Sequence, residues 1–253
     1  MWVYLDREGR HVYEFTDHRR KEAPIRWLRG FKGYLHADAY PGYDEVFVPD
    51  EATEVACWAH ARRKFLEAET TEPELTAEIL SRIRSLYAIE RHAKDMSLDD
   101  EARRALRQER ATPILEELRA HLAVLETQVL PKSPMARAVG YTLRQWAALT
   151  TYVSDGRLSL DNNAAERALR AFAVGRKNWL FFQTEGGGRT AAILMSFLKT
   201  CEAAGVNPSE WYRDVYVRID RERDFAKLLP HAWREHFQPE IEARRADLIR
   251  RLT

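Results

Sequence analysis

The sequence has two cysteines in 253 residues. That is too few for a disulfide framework or a four-cysteine zinc site, and the scarcity points to a reducing, cytosolic setting. No apolar run approaches membrane-spanning length, and Met1 is followed at once by Trp2-Val3-Tyr4 without a basic leader, so neither a membrane span nor a signal peptide is expected. Net charge is nearly absent: 40 Lys and Arg stand against 39 Asp and Glu. A nucleic-acid partner would therefore have to be met by local positive patches. Internal repeats and low-complexity tracts are lacking too. What is present is a normal apolar fraction, 45%, and 11% aromatics, which together exclude a wholly disordered chain and allow one large domain or two small ones. The chain enters a strand-like aromatic run at its second residue. Either a strand opens the domain, or a segment upstream is missing.

Residues 2–6 and 11–16 are β-prone runs joined by Arg7-Glu8-Gly9-Arg10, a predicted hairpin. Residues 17–29 turn helical, closed by Gly30 and Gly33. In Tyr34-Leu35-His36-Ala37-Asp38-Ala39-Tyr40 the small apolar residues alternate with His36 and Asp38, a strand pattern that Pro41-Gly42 ends. A further strand over 54–58 runs into a basic helix beginning near His60. From about 60 to 150 the strand signal disappears. Leu75, Ile79, Ile83 and Leu86 mark one amphipathic stripe and Leu115, Leu118, Leu122, Leu125 and Val129 another, the pattern of antiparallel helices packed on each other. Pro113 either starts a helix or kinks one. Asp161 suits a helix N-cap and Gly175 the stop of that helix; Gly186-Gly187-Gly188 reads as a flexible turn, and the tail from Trp211 is helical and charged. The expected division is 1–60, 61–153, 154–205 and 206–253.

Two carboxylates stand out. Asp38 lies on the polar side of an early strand, where a lone Asp is ordinarily a turn or capping residue. Glu166 lies on a later helix, with Asn162 and Asn163 one turn before it and Arg170 one turn after. Carboxylates brought together on rigid elements from distant sequence are what a Mg²⁺ site for phosphoryl transfer requires, because hard cations take oxygen ligands and leave positions for phosphate.

Four segments occur in order: Gly33-Tyr34-Leu35-His36-Ala37-Asp38-Ala39-Tyr40-Pro41-Gly42-Tyr43, Cys57-Trp58-Ala59-His60-Ala61-Arg62-Arg63-Lys64-Phe65, Leu160-Asp161-Asn162-Asn163-Ala164-Ala165-Glu166-Arg167 and Gly175-Arg176-Lys177-Asn178-Trp179-Leu180-Phe181. Together they resemble the catalytic domain of insertion-sequence-66 transposases over residues 2 to about 235. The resemblance implies an α/β fold with a ribonuclease H-like core, an Asp-Asp-Glu triad, and a large helical insertion between the second Asp and the Glu. Asp38 matches the second Asp and Glu166 the Glu. The first Asp of that family lies on a strand before the hairpin; it has no counterpart here, since Asp6 and Asp17 fall at other positions, and the core is expected to lack its first strand and to expose two sheet edges.

By the same resemblance, Asp38 and Glu166 would ligate two Mg²⁺ (or Mn²⁺) ions for in-line attack on a DNA phosphodiester, first by water and then by a freed 3′-hydroxyl; with the first Asp unmatched, two carboxylates would hold the ions weakly, and the activity is expected to be incomplete in this chain. Transposon ends and target DNA are the implied partners, with a homo-oligomer in the DNA complex and room for other proteins of the same element. The setting is the bacterial cytosol at the nucleoid, with no membrane involved. Cys57 and His60, spaced C-x-x-H, serve packing or hydrogen bonding, or a metal whose other ligands the sequence does not name. Arg62, Arg63, Lys64, Arg167, Arg170, Arg176 and Lys177 are candidate phosphate contacts, or a solvated face. The glycines at 186–188 open a helix and could offer N–H groups to a phosphate, but they lack the ending of a P-loop, so ATP binding is not expected. Trp58, Trp146, Trp179 and Trp211 fall in apolar patterns and read as core. Two further readings remain: a non-catalytic, transposase-derived protein that binds DNA or a partner, and a plain helical scaffold.

Overall fold

A computed structural model describes residues 1–18, 20–37, 41–48, 51–179 and 184–252, with only the backbone of Pro41 and of 176–179. The protein is mixed but mostly helical. Its four short strands form two separate two-stranded sheets among the described residues. The chain divides into two compact units, residues 1–19 with 165–253, and residues 20–164. No helix among the described residues is long and apolar enough to cross a membrane.

In the unit of residues 1–19 and 165–253, β1 (Trp2–Leu5) pairs antiparallel with β2 (His11–Glu14), Val3 opposite Tyr13. Gly9 turns the hairpin with φ +79°, and a Cβ there would lie 2.7 Å from that of Ala203, so both conformation and space call for glycine. The outer edge of β2 is covered by α8 (Glu185–Ala203). Its Ser196 and Thr200 hydroxyls, one turn apart, accept the N–H groups of Tyr13 at 2.8 Å and His11 at 3.0 Å. Each hydroxyl passes its own proton to the carbonyl four residues back. A strand edge that would otherwise be bare is thus satisfied by a helix face. The Tyr13 hydroxyl donates to the Ala168 carbonyl at 2.8 Å on α7 (Asn163–Trp179), and its ring packs on Phe172. The tail forms α9 (Pro208–Arg218), α10 (Pro230–His236) and α11 (Gln238–Leu252). Trp211 and Trp233 anchor α9 and α10 together with Cys201, Ala204 and Val206.

Two readings of this unit need correction. Gly175 does not stop α7, which continues to Trp179, because its φ is not in the left-handed region. Gly186, Gly187 and Gly188 are not a flexible turn but the first turn of α8, capped by Thr184, whose Oγ1 accepts the Gly187 N–H at 3.0 Å. Gly188 is required by packing: a Cβ there would sit 2.6 Å from the Phe15 ring.

In the unit of residues 20–164, α1 (Glu22–Trp27) leads to β3 (Gly33–His36), which pairs parallel with β4 (Ala52–Val55), His36 opposite Val55. Of the helix expected over 17–29 only Glu22–Trp27 forms, and a glycine turn closes its C-terminal end. Next come α2 (Trp58–Leu66), α3 (Pro73–Asp95), α4 (Asp100–Gln128), α5 (Pro134–Arg144) and α6 (Trp146–Thr150). Pro113 lies inside α4, which runs unbroken because Arg107, Ala111, Leu115 and Leu118 are buried on both sides of it. The two leucine and isoleucine stripes form the core with Trp58, Phe65, Met135 and Leu149. Trp58 meets Trp146 edge to face at 6.0 Å and donates its indole N–H to the Leu149 carbonyl at 2.9 Å.

The loop ahead of Asp161 is held by one buried cation. Arg107, 1% exposed, grips both oxygens of Glu90 at 2.7 Å and donates to the carbonyls of Tyr152, Asp155 and Leu158 at 2.8–2.9 Å. All five guanidinium protons are accounted for, the condition under which a buried charge is tolerated. Gly156 lets this loop lie against α4: a Cβ there would be 1.7 Å from the Asp100 carbonyl oxygen.

Candidate functional site

The parallel β3–β4 pair and the start of α2 set the site's frame. Ala37 donates its N–H to the Val55 carbonyl at 3.1 Å, extending the pairing to the last described residue before Asp38. Asp38 itself lies outside the described residues. At the other strand's end the chain passes through Ala56 and Cys57 into α2. The segment 160–162 is stitched across this entry: the Trp58 N–H donates to the Leu160 carbonyl at 3.2 Å and the Asn162 N–H to the Cys57 sulfur at 3.2 Å. Residues about a hundred apart in sequence are thereby held in register just before α7 begins.

Asp161 is the hub of that junction. Its Oδ1 accepts the backbone N–H of Asn163 at 3.1 Å, a local turn that a short carboxylate makes readily at a helix start. Its Oδ2 accepts the Asn163 amide at 2.6 Å and the hydroxyl of Tyr87, from α3, at 3.0 Å. Burial and the Asp161 carboxylate push the Tyr87 hydroxyl well above its ordinary range, so it stays a donor.

Cys57 is buried, and burial raises its thiol pKa despite the N–H groups of Asn162, His60 and Ala59 directed at it. The Asn162 N–H gives this sulfur a hydrogen-bond partner, and its burial favours the thiol over the thiolate. His36 has both ring nitrogens buried without a hydrogen-bond partner among the described residues. Burial lowers its pKa, outweighing the attraction of Asp161, and keeps the imidazole neutral.

Glu166 stands half-buried in the first turn of α7, where a carboxylate is favoured by the helix dipole. Arg167 and Arg170 are exposed on the same helix. Arg176 and Lys177 belong to its last turns, but their side chains lie outside the described residues. On α2, Arg62 and Arg63 are exposed, whereas Lys64 pairs with Glu67 at 3.5 Å. His60 is in the first turn of α2, its N–H donating to the Cys57 carbonyl at 3.1 Å. Of the expected site residues, the structure brings Cys57 to Asn162, and joins Asn163 to Asp161. Tyr87 and His36 were not singled out in the sequence. Tyr87 carried one signal: it is a polar-headed ring beside Leu86, just off the apolar stripe. Trp58, Trp146 and Trp211 are buried as expected.

A family model described as the Transposase IS66 family matches residues 1–190. The chain is 31% identical over 242 residues to the uncharacterized protein y4hP of Sinorhizobium fredii, covering 88% of this chain and 44% of that protein. It is 32% identical over 234 residues to y4jD of the same organism, covering 88% and 45%. With y4qI, also of that organism, it shares 34% identity over 216 residues, 82% and 40% of the two chains. The chain spans less than half the length of these curated relatives. No solved structure matches it.

Proposed function

The chain belongs to the Transposase IS66 family, and we propose that it supplies catalytic carboxylates for DNA cleavage and strand transfer from a ribonuclease H-like core. In this reading the helices between 61 and 153 are an insertion between the two core segments. Asp38 and Glu166 are metal ligands, not nucleophiles. The observation that carries it is the junction at 160–163, where backbone bonds to Cys57 and Trp58 and the Tyr87–Asp161 bond fix the chain from which the Glu166 helix starts.

The donor chemistry fits hard divalent cations. Glu166 is a carboxylate, the hard oxygen donor such ions take, whereas a buried Cys57 thiol is a poor partner for Mg²⁺; both oxygens of Asp161 bond to Asn163 and Tyr87. Ions bound by Asp38 and Glu166 would lower the pKa of an attacking water or 3′-hydroxyl and stabilise the leaving oxygen. The chain's own cations, Arg62 and Arg63 on α2 and Arg167, Arg170, Arg176 and Lys177 on α7, would hold the phosphodiester backbone. Phosphate contacts of this kind position the strand without reading its sequence.

The test is nicking of supercoiled plasmid with Mg²⁺ or Mn²⁺ by the wild-type chain, Asp38→Asn and Glu166→Gln. Both variants should lose nicking while still retaining duplex DNA. Nicking by Glu166→Gln at the wild-type rate sinks the assignment. Retention of DNA without nicking by any of the three favours the non-catalytic, DNA-binding reading.

A further inference from the structure

Charge changes sign along α3. Residues 65–81 carry five acids, Glu67, Glu69, Glu72, Glu74 and Glu78, and no Lys or Arg. Residues 82–94 carry Arg82, Arg84, Arg91 and Lys94 against one acid, Glu90. Both oxygens of Glu90 are held by Arg107 at 2.7 Å, so its charge is already matched. Several arginines of the helical body have carboxylates of their own: Arg82 pairs with Glu78, Arg104 with Glu101 and Arg157 with Asp155. Arg84, Arg91 and Lys94 are exposed and make no ion pair among the described residues.

Steps of three, four and three residues place Arg84, Tyr87, Arg91 and Lys94 on one face of α3. Tyr87 fixes where that face looks, because its hydroxyl reaches Asp161 at 3.0 Å in the turn that leads into α7. Arg62, exposed on α2, lies close enough for its charge to act on the same hydroxyl. The helix dipole favours cations in the last turn, which suits Lys94, but it does not account for Arg84, about three turns before the helix ends.

A row of cations left without acids is matched by a polyanion. From Arg84 to Lys94 the row rises about 15 Å, the rise of about four nucleotides of one strand. The one ring on this face, Tyr87, is partly buried and tied to Asp161, so nothing is offered for bases to stack on. The face therefore suits the outside of a duplex, where only phosphates are met. We propose that Arg84, Arg91 and Lys94 form a track on α3 for the phosphate backbone of duplex DNA, continuing from Arg62. The helical body between 61 and 153 then holds DNA as well as joining the two core segments. The inference rests on DNA as the substrate proposed above, and adds where on the chain and in which form it is held. The acids at the start of α3 give the track a direction, since they repel the same backbone.

The experiment measures binding of a fluorescent thirty-base-pair duplex by anisotropy in EDTA, so that cleavage plays no part, from about 50 to about 200 mM salt. Wild type is compared with the pair Arg84→Gln and Arg91→Gln, with the same pair plus Lys94→Gln, and with a control pair, Arg119→Gln and Lys132→Gln. The control removes two exposed charges elsewhere on the helical body, and every variant is checked for an unchanged melting temperature. Plotted as log affinity against log salt, the slope should become shallower by about 2 in the first pair and by about 3 in the triple variant, and move by less than about 0.5 in the control. Two duplexes of unrelated sequence should weaken alike, because phosphates carry no sequence. An unchanged slope, an equal change in the control pair, or weakening confined to one sequence overturns the track. If the wild-type chain binds duplex at none of these salt concentrations, the DNA reading itself fails; binding by the triple variant with the wild-type slope defeats only the track.

Discussion

The hydroxyl of Tyr87 donates to Oδ2 of Asp161 at 3.0 Å across 74 residues of sequence. One oxygen atom thus joins the helical body to the turn from which α7 and Glu166 begin. The bond is charge-assisted, and both partners are partly withdrawn from water. Tyr87→Phe should therefore cost about 1–2 kcal/mol. The loss should be local: hydrogen exchange at the Asn163 amide, whose bond goes to the same carboxylate, should accelerate while the amides of α4 keep their protection. Unchanged exchange at Asn163 would mean that the turn holds Asp161 without help from α3.

Arg107 is a second keystone of the same segment. Its removal leaves Glu90 and three carbonyls without their donor. Arg107→Met should destabilise the chain by about 3–5 kcal/mol, as breaking one side of a buried ion pair does. Adding Glu90→Leu removes the stranded carboxylate, so the double variant should recover part of that loss. Urea denaturation of the two single variants and the double variant measures the coupling. Strict additivity would show that the pair is solvated rather than buried.

The helical core was legible because a 3.6-residue period needs no partner to be seen: the stripes at Leu75 to Leu86 and Leu115 to Leu125 are buried where the spacing puts them. The hairpin was legible from its glycine turn. Arg107 was not, because in a helix also carrying Arg103, Arg104 and Arg110 a buried guanidinium looks like one more solvated charge. The Tyr87–Asp161 bond was hidden for a different reason: it depends on two long-range packing decisions and leaves no local pattern. Asp161 was expected to cap a helix, and its bond to the Asn163 N–H gives that expectation a concrete form.

The three glycines at the start of α8 should respond differently to alanine. At Gly186 and Gly187 the nearest atom to an added Cβ is the Thr184 hydroxyl, at 3.8 and 3.5 Å, which is ordinary contact. Both changes should leave stability level or raise it by about 0.4–1 kcal/mol, through lost freedom of the unfolded chain. Gly188→Ala pushes a methyl into the Phe15 ring and should cost about 1–3 kcal/mol. Thermal melts of the three variants separate a packing glycine from a flexible tract, in which all three would behave alike.

His36 supplies a pH dependence with a definite sign. Its folded pKa lies below the ordinary value of 6.5 because burial disfavours the imidazolium more than Asp161 favours it. Above pH 6.5 the ring is neutral in both folded and unfolded chains and contributes no slope. Below it the unfolded chain takes up a proton that the folded chain refuses, so stability falls as pH drops from about 6.5 towards the folded pKa, by at most about 1.4 kcal/mol per pH unit. The neighbouring groups do not mimic this, since burial holds the Cys57 thiol and the Tyr87 hydroxyl protonated well above that window. His36→Leu also removes two buried nitrogens that make no hydrogen bond among the described residues, so at pH 7.5 it should be no less stable than wild type. Urea midpoints at pH 5, 6, 7 and 8 should show the variant gaining on wild type only as pH falls below about 6.5. Parallel curves across that range would mean that the ring titrates alike in folded and unfolded chains, burial and Asp161 cancelling; wild type gaining on the variant as pH falls would mean that Asp161 outweighs burial.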